Sequence, residues 1–427
     1  MRNIEFLVKE RSGISRTGKL VLNDKIEIAT PITWFGLSII ENYQFQLEVF
    51  KKAKAEAFLS NVYDLYYFDK KHERLKLIKE LQKLGLRHKI DSGGFQLMKA
   101  EINNKAHKFP LNPKLVLDKQ IEVGCDIAVQ LDFPFGTNLT KKMKKERLNK
   151  TLSFLEDTIK LADTRNIQFS ILPVIHTISD DINLLKYGLE RIEKIVGKLP
   201  IMIGIGSLVP LVKTIKNSKK NGIESFIYAL VTLRKMLPNS FIHAFGIGGT
   251  MAYLAILAGI DSYDSNGWIQ KAAFGVIQLP GISDRFPTKE SHGRPYLMEK
   301  RKLKNNNFVN EIKMFMRCPC EACKPYAKES WTNSDWKMKQ EAFTGRTQNA
   351  KLLRSIHNVS LYQTEIIEMR NSIKKDNLSN FLIDRLSNSI YLKYIRFTKN
   401  LISKNLEDLT DFKSVLNSNY KSINDFI

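Results

Sequence analysis

Three cysteines stand close together in the segment Cys318-Pro-Cys320-Glu-Ala-Cys323 and form the strongest metal-binding pattern of the sequence. Thiolates at this spacing can share one ion, and zinc prefers a tetrahedral set of sulfur and nitrogen ligands. His357, which lies 34 residues after Cys323 in the helix-like stretch LLRSIHN, is the predicted fourth ligand. A Cys3His site without an open position is structural rather than catalytic. The alternative is three buried free cysteines, and Cys125, inside the apolar run GCDIAV, is predicted to be such a core residue.

Two aspartates at the ends of predicted strands are candidates for acid–base or nucleophilic chemistry. Asp91 begins DSGGFQ, in which the Gly-Gly pair lets the backbone approach a planar ligand closely. Phe95 can stack on such a ligand, and Gln96 can hydrogen-bond its edge. Asp264, in DSYDSNGW, has Asp261 three positions before it, and residues three apart face opposite sides of a regular strand. We therefore expect only one of these two to enter a site. The alternative role for Asp91 and Asp264 is that of an N-cap or turn residue.

Two or three carboxylates in one pocket suit chemistry at the C1′ carbon of a sugar. One carboxylate attacks as nucleophile or stabilises an oxocarbenium-like centre, and another moves protons on the leaving group. A third can bind the N1–H and N2–H₂ face of guanine, because a carboxylate only accepts hydrogen bonds. The same groups would serve a glycosidase acting on polysaccharides equally well.

The elements that must position these groups follow from short apolar runs that alternate with amphipathic stretches between about residues 80 and 265. The stretches 138–163, 180–196 and 223–237 have helical spacing, which predicts βα units and a parallel sheet. Polar or glycine residues directly follow the apolar runs: Asp91, Asp132, His176, Gly206, Gly248 and Asp264. A (β/α)8 barrel gathers such strand ends in one mouth, whereas an open sheet spreads them along a line. The sequence therefore predicts an α/β fold of the (β/α)8 TIM-barrel type.

Four regions are predicted along the chain. Residues 1–45 form an N-terminal β-hairpin region, because apolar and polar residues alternate on both sides of Asn23-Asp24. Residues 46–300 form the barrel that carries the candidate catalytic groups. Residues 301–364 form a zinc-binding subdomain packed on the barrel. Residues 365–427, rich in Lys, Asn and Ser with Ile and Leu at helical spacing, form a small basic helical tail.

The composition favours a polyanionic partner. The 427 residues carry a formal charge of +23, which suits phosphate contacts, although lysines on the solvated surface of a protein from a basic proteome would give the same value. Lysines clustered in helical stretches are either phosphate contacts or solvated faces: Lys141, Lys142, Lys144, Lys145, Lys213, Lys216, Lys219 and Lys220. The clustered cysteines are no disulfide framework, and we see neither a secretory signal nor a run long enough to cross a membrane. We therefore expect a cytoplasmic protein without membrane association.

Several of these segments together resemble tRNA-guanine transglycosylases. The similarity rests on the RTGKL…IATP hairpin, DSGGFQ at 91–96, HAFGIGG to DSYDS at 243–265, and the Cys-x-Cys-x-x-Cys pattern with a later His-Asn. It spans about residues 14 to 360 in the same order. The resemblance implies that Asp264 is the nucleophile of a covalent nucleic-acid intermediate and that Asp91 is the general acid/base. The implied reaction exchanges guanine for a 7-deazaguanine such as preQ0, with structural zinc and no ATP or redox cofactor.

The resemblance also implies which residues hold the base and the metal. Asp132, in QLDFP, matches the base-recognising aspartate, and the expected base-binding set is Asp132, Ser92, Gly93, Phe95, Gln96, His176, Gly204, Gly206 and Ser207. The implied zinc ligands are Cys318, Cys320, Cys323 and His357. The family usually has a Gln where this chain places His176. Because an imidazole offers its donor and acceptor at a different spacing from an amide, we expect a different base pocket.

The departures from the family pattern favour its DNA-modifying, DpdA-type branch. No Pro-Thr-Arg stretch follows Asp264, and the part after the zinc segment is shorter than the archaeal RNA-binding extension. We therefore expect exchange on DNA in a bacterial or phage-infected cytoplasm, with a homodimer and partner modification enzymes as further expectations. The alternatives are exchange on tRNA, of the queuosine or archaeosine type, and a non-catalytic nucleic-acid-binding paralogue.

Overall fold

A ring of parallel strands, whose residues are mostly buried, forms the centre of the molecule. The computed structural model describes residues 4–69, 71–102, 111–136, 139–165, 167–176, 182–209, 221–287, 306–409 and 412–416. The ring strands are β4 (Ile32–Gly36), β5 (Ala57–Asn61), β6 (Arg87–Asp91), β7 (Ile127–Val129), β8 (Ser170–Leu172), β9 (Val174–His176), β10 (Met202–Gly206), β11 (Phe241–Ala244) and β12 (Ser262–Ser265). They are hydrogen-bonded in the order β8-β7-β6-β5-β4-β12-β11-β10-β9.

The two ends of this sheet meet at Pro173. β8 pairs with β7, and β9, which follows Pro173 directly, pairs with β10. A proline has no N–H to donate, so the strand changes its neighbour at this residue. When β8 and β9 are counted as one strand, the ring closes into the eight-stranded barrel that the sequence predicted.

Helices cover the outside of the barrel between successive strands. They are α1 (Tyr43–Ala53), α2 (Val62–Phe68), α3 (Glu73–Lys83), α4 (Gly94–Ile102), α5 (Pro113–Val123), α6 (Lys141–Asp163), α7 (Ile182–Val196), α8 (Gly222–Met236), α9 (Met251–Leu257) and α10 (Gly267–Ala273). The three stretches with predicted helical spacing correspond to α6, α7 and α8. The lysines predicted at 213, 216, 219 and 220 lie outside the described residues.

An antiparallel sheet closes the end of the barrel at which the parallel strands begin. It consists of β1 (Ile4–Ser12), β2 (Ser15–Leu22) and β3 (Ile26–Thr30). The predicted hairpin is confirmed, since β2 and β3 join through Asn23 and Asp24 with φ of 53° and 57°, as in a type I′ turn. Apolar side chains of this sheet, such as Leu20, pack with barrel residues such as Trp34. The first ring strand, Ile32–Gly36, falls within the range 1–45 that was predicted as the N-terminal region.

Asp261 belongs to this closed end and not to the barrel mouth. Its carboxylate is fully buried and accepts hydrogen bonds from Arg16 Nε at 2.9 Å and from Arg234 Nη2 at 2.6 Å. Removal of one partner from a buried ion pair of this kind destabilises the folded protein, because the other charge stays buried without compensation. The expectation that only one of Asp261 and Asp264 enters the mouth is therefore confirmed.

The segment after the barrel adds a hairpin and further helices. These are β13 (Ile277–Leu279), β14 (Ile282–Arg285), α11 (Asn306–Met316), α12 (Asn333–Phe343), α13 (Gln348–Lys374), α14 (Leu378–Arg385) and α15 (Leu392–Ser403). The 27-residue helix α13 packs against α1 and α10, so it fills the gap in the helical layer between the first and last βα units. Among the helices of the described residues, we find none with the length and apolar character required to cross a bilayer.

Candidate active site

One cavity of about 520 Å³ lies at the ends of the parallel strands. Its walls include all six residues predicted to converge there: Asp91, Asp132, His176, Gly206, Gly248 and Asp264. A volume of this size suits a small planar ligand such as a purine together with its sugar. The prediction that these strand ends meet in one mouth is confirmed.

Asp264 is the penultimate residue of β12 and is held from three directions. The backbone N–H of Gly246 donates to its Oδ1, and Lys89 Nζ lies 3.3 Å from its Oδ2. His243 Nε2 lies 3.4 Å from the same oxygen. Burial alone would raise the pKa of Asp264, but Lys89 and the Gly246 N–H lower that pKa below its ordinary value. The carboxylate is therefore ionised at neutral pH and available as a nucleophile.

Lys89 and His243 form a buried layer beneath the cavity. The Lys89 ammonium donates to His243 Nε2, and His243 Nδ1 lies 2.7 Å from Ser262 Oγ. Burial, and then the Lys89 charge, lower the pKa of His243 to about 4, so this imidazole is neutral. Sequence analysis missed both residues. The signal was the alternation of β6, which places Lys89 and Asp91 on the same face of the strand.

Asp91 has the opposite electrostatic character to Asp264. Its Oδ2 accepts a hydrogen bond of 2.9 Å from Asn61 Nδ2. Burial, followed by the negative charges of Asp132 and Asp264, raises the pKa of Asp91 from its ordinary value of 3.8 to about 7. A carboxyl group with this pKa can give and take a proton near neutral pH. At neutral pH, Asp264 is thus ionised, whereas Asp91 can carry a proton.

Asp132 faces the cavity from the end of the strand after α5. Ser92 Oγ donates to its Oδ1 at 3.0 Å, and its remaining oxygen points toward His176. Gly94 must lack a side chain, because a Cβ there would lie 2.0 Å from Asp132 Oδ1. Gly93 has φ of +94° and its Cβ position would meet Tyr63, so both glycines of DSGGFQ allow close packing behind the wall. The predicted base contacts Ser92 and Gly93 are not among the residues that form the cavity wall.

His176 is fully buried at the back of the cavity beside Asp132. Its Nδ1 lies 3.1 Å from Ser207 Oγ, which accepts a 2.8 Å hydrogen bond from the Phe135 N–H. His176 Nε2 lies 3.3 Å from Asp132 Oδ2 but is not aligned for a hydrogen bond, and it has no other partner among the described residues. This Nε2 is a polar atom in the wall that a ligand can satisfy.

The glycines of the GIGS segment, residues 204–207, leave room for the side chains that pack against them, including the His176 ring. A Cβ on Gly206 would lie 2.7 Å from the His176 ring, and Gly206 and Ser207 both form part of the cavity wall. Gly204 lies one layer deeper, where a Cβ would lie 2.4 Å from the Phe245 ring. Gly204 does not belong to the wall formed by the described residues, so its predicted contact with a base stays a prediction.

Phe95 and Gln96 also form part of the cavity wall, at the start of α4. Phe95 is 43% exposed, which is unusual for a large aromatic side chain. Gln96 Oε1 is buried and has no hydrogen-bond partner among the described residues. An accessible ring next to an unsatisfied amide oxygen suits a heteroaromatic base, which offers both a π face and N–H donors.

The three clustered cysteines and His357 converge on one point. Their ligand atoms all lie within 4.8 Å of one another, and His357 Nδ1 lies 3.5, 3.7 and 3.4 Å from the sulfurs of Cys318, Cys320 and Cys323. His357 Nε2–H donates to the Gln278 carbonyl at 2.8 Å, which leaves Nδ1 free to bind a metal. Three sulfurs and one nitrogen match the donor set that zinc prefers in structural sites.

Helix α13 connects this cluster to the cavity. It carries His357, and five residues later it carries Tyr362, whose hydroxyl accepts a 3.0 Å hydrogen bond from the Gly249 N–H. Tyr362 and Gly249 both form part of the cavity wall. The same loop, 246–249, supplies the N–H that binds Asp264. The metal-binding cluster therefore braces the wall of the cavity without facing it.

Comparisons with known proteins identify the family to which the chain belongs. The family model described as queuine tRNA-ribosyltransferase matches residues 11–389. Relatives named tRNA-guanine(15) transglycosylase include those of Methanococcus vannielii (25% identical, covering 69% of this chain and 38% of the relative), Pyrococcus abyssi (24%, 90% and 56%) and Thermococcus kodakarensis (24%, 93% and 59%). The chain thus spans between about two fifths and three fifths of the length of these relatives. Because the family model covers most of the sequence, the chain belongs to the queuine tRNA-ribosyltransferase family.

Proposed function

We propose that the protein is a guanine transglycosylase that exchanges guanine in tRNA for a 7-deazaguanine base such as preQ0. The observation that carries this proposal is the meeting of Asp91, Asp132 and Asp264 in one purine-sized cavity, with an ionised Asp264 beside a proton-carrying Asp91. A non-catalytic paralogue would have no need of this electrostatic division. The Cys3His cluster and the formal charge of +23 argue against the polysaccharide alternative.

In the first half of the reaction, Asp264 attacks C1′ of the target nucleotide. The new C1′–O bond forms as the C1′–N9 bond breaks, and the electron pair of that bond leaves with guanine. Asp91 donates its proton to the departing base, so guanine leaves neutral and Asp91 becomes ionised. Its pKa of about 7 suits this transfer, because a donor is most effective when its pKa lies near the working pH.

In the second half, the incoming base enters the same cavity and gives its N9–H proton to Asp91. Its nitrogen attacks C1′, and Asp264 leaves as a carboxylate. One N-glycosidic bond replaces another, so no external energy source is required. Two displacements at the same carbon retain the configuration of the sugar, as in other reactions that proceed through a covalent glycosyl–carboxylate intermediate.

Recognition of the base falls to Asp132, His176 and Phe95. Asp132 accepts the N1–H and N2–H₂ donors that guanine and 7-deazaguanines share. His176 Nε2 faces the same space and can serve the neighbouring O6. Phe95, in the same wall, provides a stacking surface. The target nucleotide must leave its helical stack to reach these groups.

Cys318, Cys320, Cys323 and His357 would hold a zinc ion in this proposal. The zinc, when bound, stabilises the fold of the segment and takes no part in the exchange. By holding α13 in place, the zinc would also fix Tyr362, which accepts the hydrogen bond from Gly249 in the cavity wall.

The choice of tRNA over DNA comes from the relatives. Those reported above are named as enzymes of tRNA, which favours the tRNA alternative over the DNA substrate that the sequence analysis preferred. The groups proposed to act in the cavity would contact the base and the sugar C1′, which DNA and RNA share, so they do not favour DNA. The 2′-hydroxyl is the group by which a protein distinguishes the two nucleic acids.

The test is incubation of the purified protein with radiolabelled guanine or preQ0 and either tRNA or duplex DNA, followed by nucleoside mass spectrometry. We expect incorporation into tRNA. Incorporation only into DNA would contradict the substrate class, and incorporation into neither would contradict base exchange. Asp264→Asn should lower exchange by more than about 10³-fold and yield no covalent adduct on a denaturing gel. Asp163→Asn, an exposed change at the end of α6, is the matched control and should exchange normally.

A further inference from the structure

Lys89 is a fully buried amine that the reaction described above does not use directly. It lies in β6, and its side chain is 1% exposed and does not form part of the cavity wall. A lysine in the interior of a barrel is costly, because burial removes the hydration of its ammonium group. Such a residue needs neighbouring groups that compensate this cost, and the identity of those groups indicates the role of the lysine.

The groups that face Lys89 are two carboxylates, an imidazole and two aromatic rings. Its Nζ lies 3.3 Å from Asp264 Oδ2 and hydrogen-bonds His243 Nε2. Burial lowers the pKa of Lys89, and Asp264, followed by Asp91 when it is ionised, opposes this lowering. The rings of Trp34 and Phe245 lie 5.6 and 5.0 Å from Nζ, at distances typical of cation–π contacts. Each of these neighbours is thus neutral or negative.

Two neighbouring carboxylates cannot both be ionised at low cost, so they tend to share one proton. Nothing in the carboxyl groups themselves decides which of them keeps it. A cation that contacts only one member of the pair removes this ambiguity, since it stabilises that member in the charged form. Lys89 contacts Asp264 directly, whereas Asp91 accepts hydrogen bonds from neutral groups, the side-chain amide of Asn61 and the backbone of Ser92.

We propose that Lys89, supported by His243, is a positioning residue that fixes Asp264 as the ionised nucleophile and leaves the proton on Asp91. His243 keeps the ammonium in place by accepting a hydrogen bond on Nε2 while its Nδ1 meets Ser262, two residues before Asp264. This inference rests on the proposed base exchange. It adds a residue that neither the strand-end pattern nor the family resemblance had singled out.

The first test is the pH profile of kcat/KM for base exchange in Lys89→Met. In this variant the pKa of Asp264 should rise, because the stabilising cation is gone, so the acid limb of the profile should move up by at least about one pH unit. Each unit lowers the ionised fraction about tenfold on that limb. The pKa of Asp91 also loses the influence of Lys89, so the alkaline limb should move upward as well. His243→Gln, which keeps the Lys89 contact, should move the acid limb less.

Met202→Ala is the matched control for loss of packing. Met202 is an apolar residue of the barrel interior, 2% exposed, and its loss should lower the melting temperature without moving either limb. If Lys89→Met shows the unshifted profile of this control with only a lower kcat, Lys89 is a packing residue and the proposal is wrong.

The second test does not require activity. Thermal melting of Lys89→Met, Asp264→Asn and the double variant forms a double-mutant cycle. Each single change leaves one buried polar group without its partner, whereas the double change removes both. We expect the double variant to melt at a higher temperature than Lys89→Met, and additive losses would overturn the pairing. If the unmodified protein exchanges no base, the proposed function fails, and this cycle still decides whether Lys89 and Asp264 are an ion pair.

Discussion

Replacement of Asp91 by Asn should stabilise the protein and abolish base exchange at the same time. The pKa of Asp91 is raised from 3.8 to about 7 in the folded protein, so the folded state keeps a proton that the unfolded chain releases. Stability is therefore lost as the pH rises from 3.8 to about 7 and is constant above that window. Asn carries no such proton, and its amide oxygen can still accept the hydrogen bond from Asn61.

The size of this effect follows from the shift. About three pH units correspond to about 4 kcal/mol, and screening at the partly exposed cavity mouth reduces this to about 2–4 kcal/mol at pH 8. With an unfolding entropy of about 2.1 cal/mol/K per residue, a chain of this length gains about 1 °C per kcal/mol. We expect Asp91→Asn to melt about 2–4 °C higher than the unmodified protein at pH 8. At pH 5 the gain should be no more than about 1.5 °C.

Differential scanning fluorimetry with zinc present, at pH 5 and pH 8, measures this difference. Asp163→Asn is the control for replacing an aspartate by asparagine at an exposed position. It should melt like the unmodified protein at both pH values. A gain in melting temperature that is equal at both pH values would refute the reasoning, because it would not come from the proton on Asp91. Retained base exchange in Asp91→Asn would refute its role as proton carrier.

Three further predictions concern the metal cluster and the base pocket. Cys320→Ser, or treatment with a strong chelator, should lower the melting temperature by at least about 5 °C, and a protein that contains no zinc by elemental analysis yet melts unchanged would contradict this. Gly206→Ala should displace the His176 ring, which lies 2.7 Å from the new Cβ, and weaken binding of guanine about tenfold by calorimetry; unchanged affinity would show that the ring is not a base contact. Phe95→Ala should weaken base binding by about 5- to 100-fold, whereas Phe95→Tyr should preserve it, and equal loss in both would argue against stacking.

The sequence predicted the features that depend on one strand or one short segment. Each apolar run ends in a polar residue or a glycine, so Asp91, Asp132 and Asp264 were predicted at the mouth by the rule that parallel strands end on one side. The metal cluster was predicted because its thiols are neighbours in sequence. Two ring strands, Ile32–Gly36 and Ala57–Asn61, were not singled out. The first continues directly from the hairpin, and the second is too short to show a period.

Contacts between distant strands could not be predicted from one sequence. His243 lies 154 residues after Lys89, and nothing in its own segment shows that the two side chains meet. The wall contributed by Tyr362 depends in the same way on the path of α13 back over the barrel. Pairings of this kind depend on the closure of the ring, which local patterns do not specify.

The hydrogen bond between Gly249 and Tyr362 has a consequence for the order in which the protein matures. Every acidic group of the cavity has left the ribosome well before Tyr362 is synthesised, since it follows Asp264 by 98 positions in the chain. A nascent chain that ends before α13 therefore possesses the reactive carboxylates but not the hydroxyl that holds their loop. The hydrogen bond that fixes the loop 246–249 can therefore form only after α13 has been translated.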